Sequence, residues 1–303
     1  MSKNTISHDI IIVGTGPAGL QAALHAGRRK ANVGILGKLK NSSLSRAHLE
    51  NYCCMDNTIM GQEMLDQGKK QAERAGAVFY EEDVLDIGKD RDGRFSVLLE
   101  SDTQLMAKAL ILAMGVSRNR LNVPGEKDLL GKGVSYCVDC DGGFFRNQTV
   151  AVVGNESAAA SGALTLLMIA DKVHLIFKKL LVGDTLKNQI EQSDIITHPG
   201  IWVKAVEGQD SVKSLLLSND EQLEVNGVFI ELGAKGALEL ATKLGVALDP
   251  ENFKYIITNK KQETNIAGVY AAGDICGPPW QVAKAIGEGC IAGLEAETYI
   301  KKN

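Results

Sequence analysis

The residues with the plainest chemical potential are Cys137-Val138-Asp139-Cys140-Asp141, followed by two glycines. Two thiols separated by two residues can close a small-ring disulfide. A carboxyl group at Asp141 can pass a proton to or from whichever thiol attacks or leaves. Two cysteines do not complete a tetrahedral metal site, and no second CxxC or paired histidines stand at metal-ligand spacing, so no metal is expected. A redox dithiol of Cys137 and Cys140, served by Asp141, is the expected catalytic group, set against two ordinary thiols in a loop. Cys53 and Cys54 are adjacent and either hand electrons on or sit as buried bystanders, the latter being favoured. Cys276 and Cys290 have no motif partner and read as structural.

Such a dithiol needs an electron source, and two strand-turn-helix segments are the candidates to hold one. In the first, a buried strand over Ile10 to Val13 leads into Gly14, Gly16 and Gly19 at GxGxxG spacing, and a helix follows from Pro17 to about Arg28. The full context lifts the motif above a chance match. Its parallel neighbour is expected at residues 32 to 37, which lack the acidic residue often used to hold a ribose.

The second segment starts near residue 149, with strands near residues 149 to 153 and 173 to 177 around a helix. Its turn reads Gly154-Asn155-Glu156-Ser157-Ala158-Ala159. Glu156 stands where a second glycine would let the backbone approach a pyrophosphate. It adds a Cβ and a like charge there, at a cost on the order of several kcal/mol, about a hundredfold or more in affinity. Two such segments imply two nucleotide-binding domains of related fold. The expected class is α/β with two Rossmann-like domains, the second inserted in the first: residues 1–115 and 244–303, and residues 116–243.

Composition narrows the surroundings. At 303 residues the chain is long enough for two domains, and its 33 basic against 37 acidic side chains leave a net charge of −4, which excludes a broad basic footprint for nucleic acid. The first apolar run is too short for a signal segment or a membrane span, so a cytoplasmic protein is the expectation, with no membrane partner. Six cysteines in an intracellular chain of this size read as reduced thiols or redox chemistry rather than a structural disulfide framework.

The order of motifs, "GPAGLQAA", "ENY" at 50 to 52, an "AMG" turn, "VPGE" at 123 to 126, "CVDCDGGFFRNQTVAVVG" and "GVYAAGDI", resembles the low-molecular-weight thioredoxin reductase family over nearly the whole chain. The resemblance implies FAD on the domain built from both chain ends. Gly14, Gly16, Pro17, Ala18 and Gly19 would lie at its pyrophosphate, Asn51, Ala113 and Gly115 near the cofactor, and Gly273 with Asp274 at its ribityl or phosphate region. It further implies that Cys140 faces the flavin, that Cys137 exchanges with a thioredoxin-like protein disulfide, that Asp141 is the acid/base, and that the protein is a homodimer.

The chain also departs from that family. A typical member carries GGGxSA at the second turn and an HRR-type cluster after the next strand to hold the NADPH phosphate, where this chain has Glu156 and Lys178-Lys179. The two lysines either restore part of that binding or form a solvated edge. Trp280, Gln281 and Val282 occupy the place of a common Arg-Gln-Ala and are expected beside the flavin, Trp280 covering a ring face or anchoring a core or interface. The expectation is an FAD-dependent disulfide oxidoreductase of a branch with a degenerate NADPH site. Its electrons would come from ferredoxin or a second bound FAD. The alternatives are NADPH-dependent reduction through an altered loop, a dithiol oxidase using oxygen, and a non-catalytic flavin-binding sensor.

Overall fold

A computed structural model of the protein describes residues 5–53, 55–115, 120–233, 236–251 and 253–303. The chain divides into two compact units, residues 1–116 with 240–303, and residues 117–239. Its helices are α1 (Pro17–Arg28), α2 (Gly61–Arg74), α3 (Val138–Asp141), α4 (Ser157–Leu166), α5 (Asp184–Glu191), α6 (Ala237–Lys243) and α7 (Val282–Lys302). Among the described residues, no helix is long and apolar enough to cross a membrane.

The first unit is built on a five-stranded parallel sheet in the order Val269–Ala271, Ala109–Leu112, Ile10–Val13, Val33–Leu36, Val78–Tyr80. The Ile-Ile-Ile run at 10 to 12 is continuous rather than alternating because helices and strands cover both faces, and all three residues are fully buried. α1 starts where the central strand's apolar run meets Gly16 and Pro17, a residue suited to the first helical position. α1 and α7 pack through small residues: a Cβ on Gly289 or Gly293 would strike the α1 backbone at Ala18 or Ala22. A four-stranded sheet, Thr5–Ser7, Gln104–Ala107, Phe95–Leu99 and Val84–Lys89, completes this unit's larger strands.

The second unit repeats the plan. Its parallel sheet runs Val134–Ser135, Gly227–Ile230, Thr149–Val153, Lys172–Phe177, Ile196–Pro199, with the strand that feeds the Glu156 turn again at the centre. Val150, Ala151 and Val152 are fully buried in it. A three-stranded antiparallel sheet, Val203–Gly208, Val212–Leu217 and Gln222–Glu224, packs its apolar residues with the parallel strands into one core. The strands and helices expected around both turns are present, with Lys172 extending the later strand by one residue.

Candidate active site

Cys137 and Cys140 are joined as a disulfide at opposite ends of the first turn of α3. Cys137 is the N-cap, and the Cys140 amide donates to Cys137 Sγ at 3.2 Å, so the helix's local geometry holds one sulfur over the other's backbone. The Cys137 amide donates to Ser135 Oγ at 3.0 Å, and that hydroxyl donates to Asp141 Oδ2 at 2.6 Å. One serine therefore ties the first cysteine to the carboxylate four residues beyond it. Cys137 is 6% exposed, whereas Cys140 is exposed. The accessible sulfur is thus Cys140, and attack on a protein disulfide through Cys137 requires that Cys137 be uncovered.

A contact absent from the sequence reading reaches the same helix. Glu231, one residue past the strand Gly227–Ile230, accepts the Val138 amide at 3.1 Å and is 7% exposed. The two residues are 93 positions apart, and no local signal pairs them.

The residues expected around the first glycine turn come together from distant parts of the chain. A Cβ on Gly19 would collide with the Gly14 carbonyl, and one on Gly14 with the Ala113 carbonyl, so both positions exclude a side chain. Gly14 also has a positive φ of 119°, which glycine adopts without a Cβ clash. Gly16 differs: only Ser42 Oγ lies within 4 Å of its would-be Cβ, at 3.6 Å, and α1 begins there without a side-chain cap. The outcome is an open cradle in front of helix amides, the arrangement that takes a pyrophosphate. Gly273 (φ 88°) lies against Ala18, whose Cβ is 3.0 Å from its would-be Cβ, which brings Asp274 to the same end of α1. Lys284 Nζ donates to the Gly273 carbonyl and to Glu288, and Glu288 accepts the Gly273 amide, so α7 clamps that turn from both sides. Burial raises the Asp274 carboxyl above its usual range; Lys284 opposes the shift and Glu288 adds to it. Asn51 Nδ2 donates to Gln281 Oε1 at 2.9 Å across 230 positions, and Gln281 is the N-cap of α7, which begins at Val282. Gly115 has open space at its α-carbon.

Three expectations are corrected or bounded. Cys53 is exposed rather than a buried bystander, in a turn whose residues 50 and 51 are exposed too, and Cys54 lies outside the described residues. Trp280 is 58% exposed after the Pro278-Pro279 pair, so it is no core anchor. Cys276 is a free thiol that burial pushes up to about 12, with Glu288 adding and Lys284 opposing, which makes it a poor nucleophile at neutral pH. Cys290 is also free and partly buried.

The second turn is closed where the first is open. Gly154 is again packed, its would-be Cβ striking the Glu231 carbonyl, and Ala159 stands in the place of Gly19. Glu156 occupies the N-cap of α4, with φ −119° and ψ −169°, as Gly16 does for α1 with φ −75° and ψ −177°. The Ala158 amide of the first turn of α4 already donates to the Gly233 carbonyl at 3.2 Å. Asn155 holds the loop beyond the next strand in two ways: its Oδ1 accepts the Lys178 amide at 3.1 Å, and its carbonyl accepts the Leu181 amide at 2.6 Å. Lys178 Nζ lies 4.9 Å from the centre of the Trp202 ring, a cation–π contact that occupies one of the two lysines considered for phosphate.

A CxxC disulfide with a tethered carboxylate, in a chain that carries one open and one closed Rossmann turn, defines a flavin-dependent disulfide oxidoreductase built on FAD/NAD(P)-binding folds. The family model described as "Pyridine nucleotide-disulphide oxidoreductase" matches residues 8–289, and the chain belongs to that family. It is 33% identical to the thioredoxin reductase of Treponema pallidum, with 97% of each chain covered. It is 34% identical to the bifunctional thioredoxin reductase/thioredoxin of Mycobacterium leprae, covering 100% of this chain and 68% of that one. The crystal structure of the atypical thioredoxin reductase TRi from Desulfovibrio vulgaris Hildenborough is similar at a TM-score of 0.85 and 34% identity, over 98% of this chain and 99% of that one. A ferredoxin-flavin thioredoxin reductase from Clostridium acetobutylicum is similar at a TM-score of 0.70 and 29% identity, over 99% and 100%. The protein is a thioredoxin reductase-like disulfide oxidoreductase.

Proposed function

We propose that the protein passes electrons from a ferredoxin-type one-electron donor, by way of FAD, to the Cys137–Cys140 disulfide and on to a thioredoxin-like protein disulfide, without using NADPH. The observation that carries this reading is Glu156 at the N-cap of α4, in the position that Gly16 leaves open at α1. A dinucleotide pyrophosphate laid on α4 as on α1 would meet a carboxylate. The Asn155-held loop and the Gly233 carbonyl on the Ala158 amide remove further phosphate donors. The name of the Clostridium relative supports ferredoxin as the donor. A second FAD would bring its pyrophosphate to the same Glu156, so the reading is one flavin per chain. It extends, on the family resemblance, to a cytoplasmic homodimer.

The residues of the first unit fit FAD. Gly16 and the start of α1 would receive the pyrophosphate, Asp274 with the Gly273 turn would hold the chain between phosphate and ring, and the linked Asn51–Gln281 pair would flank the ring system. When bound, FAD supplies a store that takes electrons singly and gives them up in pairs. In the reduced pair, the Cys137 thiolate attacks one sulfur of the partner disulfide, forming a mixed disulfide and expelling a partner thiolate. The Cys140 thiolate then attacks Cys137 Sγ, re-forming the Cys137–Cys140 bond and releasing the second partner sulfur. Two electrons and two protons end on the partner dithiol. Asp141, held by the Ser135 hydroxyl, is placed to handle those protons.

The test uses the FAD-loaded protein with reduced ferredoxin and oxidised thioredoxin under anaerobic conditions. Turnover to the thioredoxin dithiol is expected in the wild type and is lost in Cys137→Ser and Cys140→Ser, while both variants keep their flavin. Cys140→Ser should also accumulate a mixed disulfide through Cys137. Full turnover in either variant overturns the mechanism.

A further inference from the structure

We infer that Glu231 is a positioning residue for the dithiol: its carboxylate fixes the first turn of the CxxC helix and keeps the reduced Cys137 thiol protonated to higher pH than a neutral side chain at that place would.

The geometry is specific to this corner of the second unit. Cys137 and the amide that follows it are held at three points, by Ser135 Oγ on the Cys137 amide, by Glu231 Oε1 on the Val138 amide, and by the bond from the Cys140 amide to Cys137 Sγ. Glu231 cannot be displaced cheaply, because its own amide continues the parallel ladder by donating to the Val153 carbonyl at 3.0 Å and its side chain is 7% exposed. Its carboxylate therefore sits at a fixed place on the backbone nitrogen next to the nucleophile.

Two effects on the thiol follow. Backbone amides near a cysteine favour its thiolate, and Glu231 takes one of the nearest for itself. A carboxylate close to a forming thiolate adds like-charge repulsion in a poorly hydrated place. The charged residues on the elements packed around α3 are few. Asp139 and Asp141 belong to the helix itself, and neither the 142–145 turn, nor the strand Val134–Ser135, nor α4 carries a charged side chain. Glu156 stands at the start of α4 and adds the same sign.

The inference rests on Cys137 and Cys140 cycling between disulfide and dithiol, and the test separates the two. Protein reduced with a phosphine and freed of reductant is alkylated with iodoacetamide across pH 5.5 to 10, and the modified cysteine is located by mass spectrometry. If wild-type Cys137 and Cys140 yield no extra alkylated thiols after reduction, the redox pair itself is wrong. If they do, Glu231 is tested by Glu231→Gln, which keeps an oxygen for the Val138 amide and removes the charge, and by Glu231→Ala, which removes both. In Glu231→Gln the midpoint for Cys137 alkylation is expected to fall by about one pH unit. Thiolate then rises about tenfold below the midpoint, and its lower intrinsic nucleophilicity leaves roughly a threefold faster reaction at neutral pH. Glu231→Ala should shift the midpoint in the same direction and lose part of the thermal stability that Glu231→Gln retains. Glu231→Gln with the wild-type alkylation profile overturns the inference, as does a midpoint that moves upward. If Glu231→Ala fails to fold, Glu231→Gln alone decides.

Discussion

The two Rossmann turns of this chain make a comparison within one molecule. Both follow the central strand of a five-stranded parallel sheet, both pack a first glycine against a neighbouring carbonyl, and both open an α-helix with an extended N-cap residue. They differ at the N-cap side chain and in what the loops around it do. At α1 the N-cap is Gly16, with only the Ser42 hydroxyl in ordinary contact distance of its would-be Cβ. At α4 it is Glu156, with Ala158's amide already used and Asn155 gripping residues 178 to 181. On the proposed reading, the fold of a nucleotide site survives at α4 without the surface that binds the nucleotide. Strand pairing and glycine packing are satisfied by the protein's own atoms, whereas phosphate binding depends on donors being left over.

The comparison breaks most visibly if the two N-caps are exchanged. Gly16→Glu should abolish flavin binding, lowering affinity at least about a hundredfold, because a carboxylate would face the pyrophosphate at α1. The flavin-to-protein absorbance ratio of the purified variant checks this, and a wild-type ratio would remove the basis for reading Glu156 as an obstacle. Next in size is Gly19→Ala. The added methyl meets the Gly14 carbonyl and must displace backbone, at about 1–3 kcal/mol of stability, seen as a lower Tm. A matching glycine-to-alanine change at the second turn already exists in the native chain as Ala159, where the packing accepts it. The reverse exchange, Asn155→Gly with Glu156→Gly, should speed flavin reduction by NADPH about tenfold from a low base and no more, since the Ala158 amide remains occupied. Stopped-flow absorbance measures it.

A smaller effect belongs to the second unit alone. His174 Nδ1 and His198 Nε2 are 3.0 Å apart on adjacent strands, and burial holds both imidazoles below the usual value of 6.5. His198 and Lys172 push His174 further down, and Glu221 opposes the shift in both. A base whose folded pKa is depressed contributes stability that is complete above the unfolded value and is lost as pH falls below it. The protein's Tm should therefore decline from about pH 6.5 downward, and His198→Gln should flatten that decline. An unchanged slope in the variant would show that the pair does not contribute.

Much of this was legible in the sequence where the signal is local. The Ile10–Val13 strand, the bounds of α1 and the central strand of the second unit follow from apolar runs ending in glycine, and Cys137, Cys140 and Asp141 share one turn of chain. What escaped is long-range. Glu231 meets the Val138 amide only because the sheet brings the end of one strand beside α3, and Asn51 meets Gln281 only because the chain returns to the first unit after the second. Exposure was the other weak point. Cys53 looked like a core thiol by residue type, yet it lies exposed in a turn beside exposed Glu50 and Asn51.

The central claim is that Glu156 and its surroundings have closed the nicotinamide route. It is tested most directly by mixing the FAD-loaded protein with excess NADPH or NADH in an anaerobic stopped-flow instrument, with total flavin per chain counted on the same sample. The expected result is about one flavin per chain and an oxidised-flavin band that persists with either nucleotide but bleaches readily with dithionite. Rapid bleaching by NADPH or NADH would contradict the account and make the protein a pyridine-nucleotide-dependent reductase.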